Sequence, residues 1–151
     1  MARVQLALNV EDIDDAITFY TKLFATEPAK VRPGYANFAI ADPPLKLVLI
    51  EHPGHGGTLN HLGVEVESTA EVTAAGARLA EQGLATATEE QVSCCYAVQD
   101  KVWVDDPAGA PWEIYTVLAD VDALGAGLRG SDLVATTACC GGGASGDPCC
   151  T

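Results

Sequence analysis

Two stretches of this chain repeat each other, and the repeat limits the fold more than any other feature. Shifted by 56 positions, QLALNVEDIDD (5–15) lies over HLGVEVESTAE (61–71), with Leu6 on Leu62, Val10 on Val66 and Glu11 on Glu67. Both stretches alternate: Leu6, Leu8 and Val10 share one apolar face, as do Leu62, Val64 and Val66. The opposite faces read Gln5, Ala7, Asn9 and His61, Gly63, Glu65. Period-2 alternation of this kind predicts a strand with one greasy face and one small or polar face. A chain that writes the same unit twice buries the apolar face of each copy within one shared core.

The units continue in parallel. Ile13, Ile17, Tyr20 and Phe24 keep helical spacing after the first strand, and Val72, Ala75 and Leu79 do so after the second. Ser68 to Glu71 reads as a capping box, with Asp12 and Asp15 at the equivalent start and Gly83 as the stop. Short strands at 29–31, 35–40 and 45–51 complete the first unit; strands at 85–88, 96–104 and 112–117 complete the second. The expected fold is α+β: two tandem βαβββ modules, 1–57 and 58–119, joined at PGHGG (53–57). Together they form one domain, a curved mixed sheet around a metal-binding cavity with the helices outside. Beyond about Asp120 the small residues and glycines predict one short helix at 119–128, then a flexible Cys/Gly-rich tail.

Charge and cysteine usage narrow the function. The net charge is −13, which argues against nucleic acid and anionic membrane as partners. MARVQLALNVEDIDD lacks the pattern of a signal peptide, and no apolar run reaches a membrane span of about 20 residues; the expected location is cytoplasmic. All six cysteines fall in adjacent pairs, Cys94-Cys95, Cys139-Cys140 and Cys149-Cys150, where chance would give about 0.2 pairs. A disulfide framework would space them out, so reduced thiols are expected. If the backbone bends at 93–96, both sulfurs of Cys94-Cys95 can turn to one soft atom. A buried structural pair is the plain alternative. The tail pairs read equally as scavengers of soft metal ions or as a dispensable end.

The small polar faces point inward, where Gln5 and His61 enter from opposite halves. In PWEIYTV, Glu113, Tyr115 and Val117 share a face. A lone buried glutamate is costly unless paired or bound to a cation. Gln5, His61 and Glu113 would supply an amide oxygen, an imidazole nitrogen and a carboxylate to one ion. Leu47 is placed as the first-half counterpart of Glu113, and it cannot ligate. Tyr115 reads either as stabilising an oxygen intermediate or as packing, with packing preferred. Tyr96, Lys101 and Trp103 are candidate pocket residues, although Lys101 reads more naturally as a solvated surface charge. His52 and His55 in EHPGHGG lack companions for a full ligand set and are set aside.

This order of elements resembles the vicinal oxygen chelate superfamily, which includes glyoxalase I, bleomycin-resistance proteins and extradiol dioxygenases. FYTKLF, GYANFAI, PPLKLVLIE, NHLGVEV, CCYAVQDKVWV and DPAGAPWEIY are similar, more narrowly, to the organoarsenical carbon–arsenic lyases, also called cadmium-inducible proteins. The likeness runs over residues 2–119. It implies an Fe(II) enzyme using dioxygen to cleave trivalent organoarsenicals, such as methylarsonite or trivalent aromatic arsenicals, to inorganic arsenite. Gln5, His61 and Glu113 would hold the metal and act in catalysis; Cys94 and Cys95 would bind arsenic while a loop at TEEQVS closes over them. Gln5 stands where the family's iron sites commonly have histidine, which implies a weaker hold on the metal. An apolar Leu47 counts against glyoxalase I activity, which usually uses four ligands.

Two other functions compete. Sequestration of arsenite or cadmium would use the thiols but has no need for Gln5, His61 and Glu113 to converge. Another enzyme of the superfamily, an extradiol dioxygenase or a thiol transferase acting on an antibiotic, has no need for vicinal cysteines. The partner is a small molecule, and the chain reads as a monomer or homodimer. Truncation after Asp132 is expected to leave folding and turnover nearly unchanged, because a glycine-rich end buries little. Thermal unfolding and product analysis check this; a large loss of activity would show that the tail cysteines hand arsenic to the site.

Overall fold

The repeated alternation becomes two strands that lie side by side. A computed structural model describes residues 2–121. The first unit runs β1 (Arg3–Val10), α1 (Ile13–Phe24), β2 (Lys30–Arg32), β3 (Tyr35–Ile40) and β4 (Leu45–Glu51). The second runs β5 (Thr58–Glu65), α2 (Thr69–Glu81), β6 (Ala87–Cys94), β7 (Ala97–Asp105) and β8 (Pro111–Asp120). All strands join one sheet in the order β2-β3-β4-β1-β5-β8-β7-β6. β1 and β5 pair antiparallel at its centre, while β1 with β4 and β5 with β8 pair parallel. The α+β class, the two βαβββ units and the mixed sheet therefore agree with the pattern in the sequence.

Both helices start at the expected residues. Asp12 caps α1 by accepting the Asp15 N–H at 2.9 Å. Ser68 caps α2 through the Glu71 N–H at 3.3 Å, and the Glu71 carboxylate takes the Glu67 N–H and the Ser68 hydroxyl at 3.0 Å each. Gly83, with φ +78°, follows the second helix end. The apolar stripe of α1, Ile13, Ile17, Tyr20 and Phe24, packs on Phe38, Leu47 and Leu49. That contact forms the outer core of the first half, and it leaves the other face of the sheet for chemistry.

Four local expectations need correction. TEEQVS is no free loop: it lies within β6, the edge strand paired to β7. Tyr96 belongs to the turn between β6 and β7, so β7 begins at Ala97. Ala119 and Asp120 extend β8 rather than opening a helix; residues 122–128 and the tail cysteines lie outside the described residues. The counterpart of Glu113 is Val48, not Leu47. Glu113 pairs with Gly63 on β5, and Val48 pairs with the equivalent Ala7 on β1; Leu47 points into the outer core. The misplacement is one residue, which on a strand exchanges the two faces.

The inner face contains a charge pair out of reach of water. Lys101 on β7 and Glu113 on β8 have side chains 0% and 2% exposed, with Nζ and Oε2 2.7 Å apart. Lys101, expected as a surface charge, is thus the most buried cation of the sheet. Burial alone would lower its pKa, but Glu113 together with the Cys94 and Cys95 thiols outweighs that, and the net shift is upward. For Glu113, burial raises the pKa, yet Lys101 and then His61 bring it down to about 2. Gly63 makes room for the arrangement: a Cβ there would stand 3.1 Å from Glu113 Cγ and 3.3 Å from Tyr115 Cε1.

Two outcomes follow. Lys101→Met should cost about 3–5 kcal/mol at neutral pH, because it strands a buried carboxylate. The folded Glu113 carboxyl sits below its ordinary value, so its contribution is present at neutral pH and is lost as pH falls toward about 2. Without Lys101 the carboxyl rises and protonates earlier, so urea denaturation should show the gap between variant and parent narrowing from pH 7 to pH 4. Separately, Gly63→Ala should cost about 1–3 kcal/mol by overpacking, read in the same denaturation assay.

Candidate metal and thiol site

A one-residue irregularity in the central pair builds the first part of the site. Ala7 pairs with His61 but Leu8 pairs with Leu59, which leaves Asn60 as an extra residue in β5. Such a bulge re-aims side chains, and here it buries the neighbours Asn60 and His61 together. Asn60 Oδ1 stands 2.6 Å from His61 Nδ1. Behind it, Asn60 Nδ2 donates to Asn9 Oδ1 and Asn9 Nδ2 donates to Thr58 Oγ1, each at 2.9 Å. The chain of donors orients the Asn60 oxygen as an acceptor, so the imidazole carries its proton on Nδ1 and offers a lone pair at Nε2.

Gln5, His61 and Glu113 meet at that nitrogen. Gln5 Nε2 lies 2.9 Å from His61 Nε2 and 2.8 Å from Glu113 Oε1; His61 Nε2 and Glu113 Oε1 are 3.3 Å apart. Donors bound at right angles to one ion with bonds of about 2.1 Å stand about 3 Å apart, so the spacing suits a small divalent cation. Ligation by Gln5 needs its amide turned, because Nε2 now faces the pair while Oε1 accepts from the Tyr115 hydroxyl. Tyr115 can serve both orientations: its hydroxyl also lies 3.3 Å from Glu65 Oε2 and is free to donate there instead. Tyr115 therefore does more than pack. Among the described residues no three His, Cys, Asp or Glu side chains form such a group; the amide of Gln5 is needed to complete it.

The paired cysteines sit at the tip of the β6–β7 hairpin. Cys94 pairs with Ala97, leaving Cys95 and Tyr96 as a two-residue loop with φ +52° and +61°. Positive φ at both central residues is the signature of a type I′ turn, which usually takes Asn and Gly. Cys and Tyr there carry local strain. The consequence is that the chain leaves strand geometry at Cys95, directly after Cys94 ends β6, and the two sulfurs approach to 3.3 Å. Both are buried, packed with Ala7, Tyr35, Val48, Ile50 and Tyr96 against the first half of the sheet.

The turn is tied down from across the sheet. Tyr96 Oη donates to Pro33 O at 3.0 Å, and Lys30 Nζ donates to Tyr96 O at 3.2 Å while pairing with Asp120. The two thiols are not equivalent. The hydrogen bond shared with Cys95 lowers the Cys94 pKa against burial, and the Lys101 ammonium adds to the effect. The bond to Cys94, then burial, push Cys95 upward. One sulfur thus carries negative charge ahead of the other.

Cys95, Gln5 and Glu113 open on the same space. A cavity of about 240 Å³ is lined by Gln5, Glu113, Cys95, Tyr35, Val48 and Lys46, among others. Trp103 lies behind it, its ring 5.7 Å from that of His61 and 5.1 Å from Lys101 Nζ, with its indole N–H on Glu89. Alternation places Asn9 and Glu65 on the inward faces without giving them a role, and it gives no sign of Asn60 or Lys46. Alternation hides Asn60 because the bulge breaks it. Lys101 was readable: Val102 and Val104 mark the outer face, which puts Lys101 inward beside Trp103, where a buried glutamate wants a cation.

Known proteins are similar to this chain in sequence and in fold. Residues 3–114 match the model of the Glyoxalase/Bleomycin resistance protein/Dioxygenase superfamily. The cadmium-induced protein CadI of Mycobacterium tuberculosis is 62% identical over 97% of this chain and all of its own length. A trivalent organoarsenical cleaving enzyme of Thermomonospora curvata is 57% identical over 99% of this chain and all of its own. The 2,3-dioxygenase LapB of Pseudomonas sp. KL28 superposes with a TM-score of 0.60 over 86% of this chain and 44% of its own, at 18% identity. That last likeness is one of fold. With a family match over most of its length and close relatives along all of it, the chain belongs to the glyoxalase/bleomycin resistance protein/dioxygenase superfamily.

Proposed function

We propose that this protein is an Fe(II)- and dioxygen-dependent carbon–arsenic lyase that converts trivalent organoarsenicals to inorganic arsenite. One observation carries the reading: Cys95, one of two thiols 3.3 Å apart, lines the same cavity as Gln5 and Glu113, which converge with His61. The names of relatives at 57% and 41% identity, both trivalent organoarsenical cleaving enzymes, support it. Sequestration would explain the thiols and leave the triad without a purpose.

Capture belongs to the cysteines. An arsenical bearing one organic group and two hydroxyls exchanges both hydroxyls for sulfur; the thiol protons leave with them as two waters, and the carbon–arsenic bond is untouched. Cys94, with the lower pKa, attacks first. The strained turn holds both sulfurs in place, so the ordering cost is met before the substrate arrives. The organic group is then confined to the cavity lined by Gln5 and Glu113.

Gln5, His61 and Glu113 would hold Fe(II), which supplies the one-electron chemistry that lets dioxygen react with a closed-shell bond. Glu113 would ligate through Oε1 while Lys101 keeps Oε2, an arrangement that fixes the carboxylate plane. Lys101 also cancels the only formal negative charge of the triad, so with a neutral amide as third ligand the metal is held loosely. Methylarsonite plus one dioxygen balances to formaldehyde plus arsenite, with arsenic trivalent throughout. An aryl group, with one added water, balances to a dihydroxybenzene plus arsenite. Water then displaces arsenite from the sulfurs and restores both thiols.

Capture and cleavage should separate by mutation. Cys94→Ser together with Cys95→Ser should abolish tight arsenical binding and leave Fe(II) binding largely intact, since a serine hydroxyl stays protonated and hard. His61→Ala or Glu113→Ala should do the reverse, binding arsenic at the thiols without releasing arsenite. Arsenical titration, iron content and arsenic speciation report the three quantities. Parental turnover by the double serine variant would remove the thiol site, and activity in the His61 variant would remove the iron site.

A further inference from the structure

The cavity that Cys95 lines carries more positive charge than the described residues balance. The chain has 8 lysines and arginines against 21 acids, yet Arg3, Lys30 and Lys46 all line this one cavity. Lys30 is paired with Asp120, and Glu113 is taken by Lys101. Among the described residues that leaves a single carboxylate, Glu65, for two cations: Arg3 Nε at 3.0 Å and Lys46 Nζ at 3.4 Å. The same oxygen also has the Tyr115 hydroxyl at 3.3 Å. Lys46 is the less well served of the two, and its side chain is only 11% exposed. A buried ammonium with a shared counter-charge is costly, and an incoming anion would relieve it.

Position makes Lys46 a reader of what enters the cavity. It is the cross-strand neighbour of Gln5, and its ammonium lies 5.0 Å from the centre of the Tyr115 ring, whose hydroxyl bonds Gln5. The space itself exceeds what a methyl group needs. A cavity of about 150 Å³ accommodates benzene, and this one has about 240 Å³. Val48, Ala97 and Tyr35 supply apolar surface for a ring, with Lys46 and Arg3 at the polar end.

We propose that Lys46 is a specificity-determining residue, which with Arg3 forms a subsite for an anionic substituent on the aryl group of the substrate. The inference rests on the reading that arsenic is held at Cys94 and Cys95, and it adds which arsenicals are preferred. An anionic ring substituent completes the counter-charge of Lys46; a neutral ring leaves it unmet; a cationic one is repelled.

The test uses the full chain in metal-free buffer and two probe sets. Benzoate and benzylamine, which contain no arsenic, report the subsite alone by titration calorimetry. Phenylarsine oxide and its para-carboxylate report it together with thiol capture. The parent should bind benzoate and not benzylamine, and should favour the carboxylated arsenical by about tenfold, the worth of one charge-assisted contact. Lys46→Met should lose benzoate binding and bring the arsenical ratio near one, while Lys46→Arg keeps both preferences. Equal affinity of the parent for the two arsenicals, or a preference that survives in Lys46→Met, overturns the proposal. Benzoate binding that depends on Lys46 while neither arsenical binds would support the anion subsite and remove the arsenical reading instead.

Discussion

Glu113 is a carboxylate with almost no access to water at the middle of a sheet, and the inner face is organised to keep it ionised. Lys101 takes one oxygen, Gln5 and His61 approach the other, and Gly63 clears the space beside it. Removing any of these leaves a buried charge or a clash, which is why the inner face tolerates polar residues where a sheet protein would normally place its core. The outer face carries the apolar packing instead, with α1 on the first half and Val72 and Leu79 of α2 buried on the second. The larger apolar cluster thus lies outside and the polar cluster inside, where the thiols add a smaller apolar patch with Tyr35, Val48 and Ile50.

The same division governs the thiols. Cys94 and Cys95 lie on the second half's hairpin but pack against the first half's strands, fastened by Tyr96 to Pro33 and by Lys30. The two modules therefore meet twice, once where Gln5 faces His61 and once where the turn reaches across. A substrate held at the sulfurs, as proposed, would lie inside the fold, between one module's thiols and the Gln5, His61 and Glu113 side chains drawn from both. Lys101 connects the two sites electrically, since it lowers the Cys94 pKa and the Glu113 pKa together. Charge placed on one site is felt at the other.

Much of this was legible in the residues, for a physical reason. Alternation and helical spacing depend on local burial, so the repeat, both caps and the inward placement of Gln5, His61 and Glu113 could be read directly. What escaped depended on partners distant in the chain. The Asn60 bulge breaks the period it would be read from. Lys101 alternates onto the inner face, but what holds it there is Glu113, 12 residues on. The slip between Leu47 and Val48 shows how little separates the two faces of a strand. Turn chemistry misled as well: Cys95 and Tyr96 adopt a geometry that neither residue favours, so TEEQVS read as a loop when its residues belong to a paired edge strand.

The central claim is that arsenic bound at Cys94 and Cys95 is on the path to cleavage, and a trapping experiment tests it most directly. The protein is loaded anaerobically with one equivalent of isotopically labelled phenylarsine oxide and freed of excess. Fe(II) and air are then added together with a large pool of unlabelled arsenical. The account predicts that the label appears in arsenite in the first turnover, ahead of exchange with the pool. Labelled phenylarsine oxide returned intact to the pool, with arsenite formed only from unlabelled material, would show that the paired thiols hold arsenic off the reaction path.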